Sequence, residues 1–462
     1  MSEIKSQKYS ERLWPIATVM ATGVFATTFV QLQGLGYLPF CHLLTKVMGL
    51  NSDQAATFFS LSMLPWTFKV IAGLLVDGVP LFGSRRRGYL LLSALTAAAA
   101  WLLMSQSPAT WLQMGLSSKN YFNMLLVLAI VMNTAIVFGS TTSGGLLVEA
   151  GQRFGVSGRL SSLRVLAQNL GSQLGGLLGG LLASLALFWV GAAALLPLMC
   201  MFFTAWFLLK ETPLPPPVAH GRSFIEQHLH VIASIWQQIK NVARREMLLP
   251  AVLMFFIQAV PTFRSTCFYE YQTQTLNYSD AALGWLSFAG YGVALLSSGV
   301  YAWWCRKVSL RTSLYLAILV TSLSALPYLL YTVYTPYMPR ALAIEGIGTF
   351  LQFLAYLPLF DLAVRSTPKG SEALGYSLLL SVWNIGLMIG GKAGPWIYQH
   401  TVTQALSVPI WFNPGVNFTS LSGQIRHDAM NHLIWLGAGV TLAGVAIVFL
   451  LPKALVGQRE GK

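Results

Sequence analysis

Lys69, Arg264, Glu270, Glu345 and Lys392 are ionisable residues inside long apolar stretches of this chain. A charge in hydrocarbon is expensive unless it pairs or faces water, so position alone makes each a functional candidate. The three cations suit an anionic ligand. The two carboxylates suit a proton that is gained and lost. Other readings stand beside these. Lys69 and Lys392 have stems long enough to snorkel to an interface. Arg264 and Glu270 are six residues apart and pair along one helix only if Pro261, three residues before Arg264, breaks or bends the chain. The sequence holds no P-loop, GxSxG, HExxH or paired-carboxylate motif, so neither an enzyme nor an ATP-driven pump is expected. Cys41, Cys200, Cys267 and Cys305 are scattered, and His228 and His230 are two apart, which is a poor ligand spacing. No metal and no cofactor is expected.

The elements that must position these groups follow from composition. Of 462 residues, 55% are hydrophobic and 10% charged, against about a quarter charged in soluble domains. Apolar runs of about 20 residues recur along the chain, the length a helix needs to cross a bilayer. Spans are expected near 14–45, 54–76, 88–106, 121–148, 160–185, 187–209, 247–276, 281–304, 311–333, 340–364, 372–398 and 429–452. The chain therefore reads as an all-α membrane protein with its lipid-facing surface in the bilayer.

The net charge of +14 would suggest nucleic acid on a soluble protein. Here the basic residues alternate between loops, as topology requires, and no nucleic-acid partner is expected. Lys5, Lys8 and Arg12, then Arg85–Arg87, Arg153 and Arg159, Arg306, Lys307 and Arg311, Arg365 and Lys369, and Lys453, Arg459 and Lys462 all fall on one side. The other side has Lys46, Lys119, Arg340 and Arg426. Both termini are expected in the cytoplasm, with the first span a signal anchor of the cell (inner) membrane.

The division is expected at 1–210 and 247–462, two six-helix halves, with a cytoplasmic linker over 211–246. The linker opens on Pro213 and Pro215–Pro217. It continues with Ile225, Leu229, Ile232, Trp236 and Ile239 at helical spacing, an amphipathic surface helix. Leu50–Ala56 (LNSDQAA) and Leu276–Ala282 (LNYSDAA) precede the second and eighth spans. The basic turns at Arg85–Arg87 and at Arg306, Lys307 and Arg311 follow those spans. Two parallel repeats joined by a basic central loop mark a facilitator-type transporter, with its substrate site at the bilayer midplane.

Specific stretches sharpen this. Trp66–Ser93 carries Gly73, Asp77 and Arg85–Arg87, and resembles the loop signature of the major facilitator superfamily. Its insert with Pro80 and Gly83, and Lys69 upstream, resemble the version found in folate–biopterin transporters. Ser366–Gly386 is similar to that family's P-x-G-x-E-A…S…N-x-G segment, and Asn277–Gly284 to its turn into the eighth helix. The family usually has aspartates in the fourth helix ahead of a V-V-E ending. This chain ends that helix on Leu147, Val148 and Glu149, with Ser140 and Gly144 at the aspartate positions.

The resemblance implies twelve transmembrane helices in two pseudo-repeat halves, with spans 1, 2, 4, 5, 7, 8, 10 and 11 lining a cavity. Substrate-binding candidates are then Lys69, Gln168, Asn169, Arg264, Tyr376, Asn384 and Lys392. Glu270 and Glu345 are the proton-coupling candidates. Asp77, Arg85, Arg86, Glu149, Asp361 and Arg365, at inner helix ends with Arg164, are the gate and scaffold charges. The expected function is alternating-access, proton-coupled transport of a small organic anion, folate- or pterin-like, by a monomer, with Lys392 and Arg264 holding the anion. Gly171, Gly175 and Gly179, with Gly176 and Gly180 beside them, resemble an antiporter signature and are expected to pack against the other half or a second copy. They leave efflux as an alternative, beside a transporter-like scaffold or sensor with no transport cycle.

Overall fold

The computed structural model describes residues 2–50, 52–106, 117–183, 185–211, 240, 245–272, 276–278, 280–333, 337–405, 423–457 and 459–460. The expected amphipathic helix over 225–239 lies outside them.

Helices occupy every interval expected to span. They are α1 (Ser2–Phe29), α2 (Ser52–Ser62), α3 (Leu64–Thr67), α4 (Lys69–Gly78), α5 (Arg87–Met104), α6 (Ser118–Phe154) and α7 (Ser157–Leu182). There follow α8 (Leu187–Leu208), α9 (Arg245–Glu270), α10 (Asp280–Trp304), α11 (Leu310–Ala325), α12 (Met338–Ser366), α13 (Glu372–Ala405) and α14 (Gly423–Leu450). Eight helices among the described residues are long and apolar enough to cross a membrane, and Leu13–Phe29 is apolar but shorter. On α8, Leu196, Phe203 and Phe207 are exposed, as are Trp435, Phe449 and Leu450 on α14. Apolar surface on this scale belongs against lipid.

Local chemistry sets the ends of these helices. The Ser117 side chain accepts from Asn120 N at the start of α6, and Gly155 closes that helix in the left-handed conformation. Ser309 accepts from Thr312 N at the start of α11. The second span is broken. Pro65 has no N–H to return to Leu61, so the hydrogen-bond ladder lapses after Ser62 and Pro65 sits in the first turn of α3, where no donor is required. Phe68 then leaves the helical region (φ −97°, ψ 19°), and Lys69 begins a new helix.

Pro261, at which the chain could break or bend, does not interrupt α9, which runs from Arg245 to Glu270. Close packing on both sides of the proline accounts for this. Gly386, Gly390 and Gly394 of α13 lie against the carbonyls of Phe255, Ala259 and Phe263 on α9. Small residues four apart let two backbones touch. These glycines serve to seat one helix on another. The stripe in α7 does the same: Gly171, Gly175 and Gly179 rest on the carbonyls of Phe25, Phe29 and Leu35. Its partner is therefore the first helix of its own unit and the loop that follows it.

The chain forms two compact units. One holds Met1–Arg244 with Thr367–Leu378, and the other Arg245–Ser366 with Leu379–Lys462. The first is cored by Phe29, Leu32, Leu35, Phe40, Trp101 and Met132. The second centres on Phe268, Tyr271, Tyr328, Tyr331 and Met430.

The two faces of α7 give a direct test. A Cβ at Gly175 would sit 2.7 Å from Phe29 O, whereas one at Gly176 meets nothing. Gly175→Val is expected to lose about 1–3 kcal/mol of stability, read as a lower unfolding temperature in detergent. Gly176→Val is expected to stay within about 0.5 kcal/mol. Equal effects would refute the packing role.

Candidate functional site

In the first unit, one stripe of α6 organises the site. Asn133, Ser140 and Gly144 recur at helical spacing and each meets a different partner. Asn133 Oδ1 accepts from Trp66 Nε1 at 3.1 Å, while its own amide donates to Ala129 O. Lys69 Nζ donates to Ser140 Oγ at 2.9 Å and lies 5.0 Å from the centre of the Trp66 ring. At Gly144 a Cβ would collide with the Tyr376 ring, so only glycine admits the tyrosine.

Lys69 is 4% exposed and does not snorkel to an interface. Among the described residues, no carboxylate lies within 4 Å of it, whereas Arg85 and Arg86 pair with Asp77, Glu149 and Glu372. Arg164, 8% exposed, lies 5.6 Å from the Tyr376 ring centre and within Coulombic reach of Lys69. Expected as a gate or scaffold charge, it lies beside Tyr376, one of the substrate-binding candidates. Gln168 is four residues on and shares its helical face. Asn169 is buried, and its amide nitrogen has no hydrogen-bond partner among the described residues; the same holds for the hydroxyl of Tyr376.

The expected gate residues fall into two clusters. In the first unit, one oxygen of Asp77 forms an ion pair with Arg86 Nη1 at 2.8 Å and accepts from Arg85 Nη2 at 3.2 Å. Its other oxygen accepts from Leu374 N at 2.7 Å, in the first turn of α13, where a carboxylate satisfies an orphan donor and the positive end of the helix dipole. Arg85 and Arg86 also reach Glu372 Oε2 at 3.1 and 3.4 Å, and Arg86 Nε lies 4.0 Å from Glu149. Glu211 receives the backbone amides of Arg85 and Arg86 and the Ser84 hydroxyl, which fixes the loop from below. Gln152 donates to Thr367 O at 2.6 Å. Glu372 and Glu211 were not singled out from sequence. Glu372 had a signal, as the acid two residues after Gly370 at a helix start.

In the second unit, Arg365 grips Asp361 through Nε at 2.9 Å and Nη2 at 3.1 Å, the pairing expected from their spacing of four. Tyr301 adds a third donor at 3.1 Å. Farther along α12, Glu345 accepts from Tyr328 Oη at 2.9 Å and from Gln272 Nε2 at 3.3 Å. Arg264 lies flat on the Tyr328 ring, 3.6 Å from its centre, and within Coulombic reach of Glu345. Arg264 and Glu345 thus come together through Tyr328, a residue that carried no charge to mark it. Glu270 and Lys392 lie on α9 and α13, with side chains outside the described set. Asn384 is exposed on α13 beside Ile385, Leu387 and Met388.

Comparison with known proteins agrees with this architecture. The chain is 28% identical to a folate-biopterin transporter of Synechocystis over 392 residues, 80% of this chain and 73% of that protein. It is 25% identical to folate transporter 1 of Plasmodium falciparum over 436 residues, 89% of this chain and 77% of that one. Among solved structures it resembles the major facilitator proton:xylose symporter XylE, with a TM-score of 0.65 at 12% identity over 98% of both chains. The fold is therefore that of the major facilitator superfamily, and the protein is multi-pass. The BT1 family model matches residues 32–462, so the chain belongs to the BT1 family of folate–biopterin transporters.

Proposed function

We propose that this protein is a proton-coupled secondary transporter of a small organic anion, folate- or pterin-like, working by alternating access in the cell membrane with both termini cytoplasmic. The observation that carries the proposal is the environment of Lys69. A buried ammonium costs several kcal/mol unless an anion compensates it. Here its hydrogen-bond acceptor is a neutral hydroxyl, and a second buried cation, Arg164, stands nearby. Such a site is stabilised by a ligand that brings negative charge. Trp66, half-buried beside it, is an aromatic of the kind a flat heterocycle stacks on.

The coupling proton is assigned to Glu345. Its donors, Tyr328 and Gln272, are neutral, and Arg264 is near without forming an ion pair within 4 Å among the described residues. A carboxyl so placed is neither locked as an ion nor abandoned in hydrocarbon, which a carrier of protons requires. The Asp77–Arg85–Arg86–Glu372 cluster supports a gate. Its members are held by several charge-assisted bonds that must break and reform together, which favours two discrete states over a continuum.

Three outcomes are expected. Lys69→Met keeps the length and packing of the side chain and removes the charge. It should raise the Kd for a carboxylated ligand at least about tenfold, the scale of one charge-assisted contact of about 1.5–3 kcal/mol, by isothermal titration. The same variant should unfold at a higher temperature without ligand, because an uncompensated buried charge is gone; weaker binding with lower stability would point to a structural lysine. In reconstituted vesicles, Glu345→Gln should abolish proton-driven accumulation and retain solute exchange at zero gradient, and intact gradient-driven uptake would remove Glu345 from the coupling role. Asp77→Asn should open the inner cluster. A cysteine at the buried position Ser371 should then react with a membrane-permeant maleimide at least tenfold faster than in the Asp77 parent, with turnover slowed more than affinity is weakened. Reaction with an impermeant maleimide in intact cells would reverse the orientation.

A further inference from the structure

The site in the first unit has a second property that bears on which solutes it accepts. Lys69 has three N–H donors; one goes to Ser140 Oγ, and the Trp66 face accounts for another. Trp66 is itself pinned by Asn133, so the aromatic side of the lysine is fixed. At least one N–H remains. The Tyr376 hydroxyl, 2% exposed and without a partner among the described residues, supplies a further donor. Arg164 lies against the Tyr376 ring and within Coulombic reach of Lys69, which brings the unused donors and the positive charge to one region of the unit. Beside Lys69 itself no carboxylate lies within 4 Å among the described residues, and its acceptor is the neutral hydroxyl of Ser140.

We infer that Ser140 is a specificity-determining residue: by leaving Lys69 without an internal counter-ion, it makes the site select solutes through a carboxylate and discriminate against the same ring system without one. The inference rests on the proposal that the protein carries organic anions, and narrows it. A solute carboxylate takes the place that an acidic side chain at position 140 would fill. An aspartate there, whose carboxylate starts from the same Cβ as the serine hydroxyl, would reach Lys69 and compete with the solute. Selection by an unpaired buried group is steep, because a ligand lacking the matching group leaves the penalty unrelieved.

The experiment measures binding of three probes to the purified full-length protein by isothermal titration, for wild type, Ser140→Asp and Ser140→Asn. Folate carries ring and carboxylates, biopterin the ring alone, and p-aminobenzoylglutamate the carboxylates alone. Wild type is expected to bind folate and p-aminobenzoylglutamate at least tenfold more tightly than biopterin. Ser140→Asp should weaken both carboxylated probes at least tenfold and change biopterin by less than threefold. Ser140→Asn, equal in size and uncharged, should weaken them threefold at most. Ser140→Asp should also unfold at no lower a temperature than wild type, since it compensates a buried charge. The wild-type order of the three probes tests the selectivity without any substitution. Biopterin bound as tightly as folate, Asp and Asn variants alike, or none of the probes bound overturns the inference. Binding of p-aminobenzoylglutamate but not folate, lost in Ser140→Asp, would remove the folate-type reading and uphold selection by carboxylate.

Discussion

Backbone against backbone, with glycine as the spacer, is the contact on which the helical framework depends. Within the first unit, Gly171, Gly175 and Gly179 bring α7 onto the carbonyls of α1 and its loop; within the second, Gly386, Gly390 and Gly394 bring α13 onto those of α9. Lipid tails are as apolar as leucine, so burying leucine against leucine gains little in a membrane, and close packing of small residues takes over. The functional groups inherit their positions from these seams. Arg164 and Gln168 lie on the helix that Gly171 and Gly175 fix, and Arg264 lies on the helix that Gly390 and Gly394 contact. A methyl group at one of these glycines would shift a charged side chain several residues away.

Buried charge is handled in two ways. Asp77, Arg85, Arg86 and Glu372 compensate one another, and Asp361 and Arg365 do so with Tyr301 as third donor. Removing one partner from such a group leaves a charge stranded at a cost of about 3–5 kcal/mol, which makes these clusters rigid within a state and abrupt between states. Lys69 is handled differently. Its hydroxyl partner and aromatic neighbour soften the burial without cancelling the charge. The first pattern suits holding a conformation, the second suits holding a guest.

Much of this was legible in the sequence, and the limits have physical causes. Span positions follow from hydropathy over windows of about 20 residues, a signal that local detail barely perturbs. The Asp361–Arg365 pair was readable because four residues make one helical turn. Lys69 was readable as a candidate because any lysine inside a span is conspicuous, but its partner was not. Ser140 lies 71 positions along the chain and announces nothing by residue type. Tyr328 was missed for the same reason: its part depends on a neutral hydroxyl meeting Glu345 and a ring meeting Arg264. Pro261 left two readings open. A proline can break a helix, and whether it does depends on the packing around it, which spacing does not encode.

The segment Thr367–Leu378 separates two ways of dividing this molecule. In chain order it lies in the later part of the sequence, where it opens α13. By mechanics it belongs with the first unit, tied there by Asp77, Arg85, Arg86 and Gln152. A chimera joined between residues 210 and 247, with halves taken from two relatives, would follow chain order and cut across these bonds. Moving residues 367–378 together with the first half would keep the electrostatic set whole. Substitutions in the Arg85–Arg86 turn and at Glu372 are accordingly expected to drift as a set, each constrained by what the other end of the chain presents.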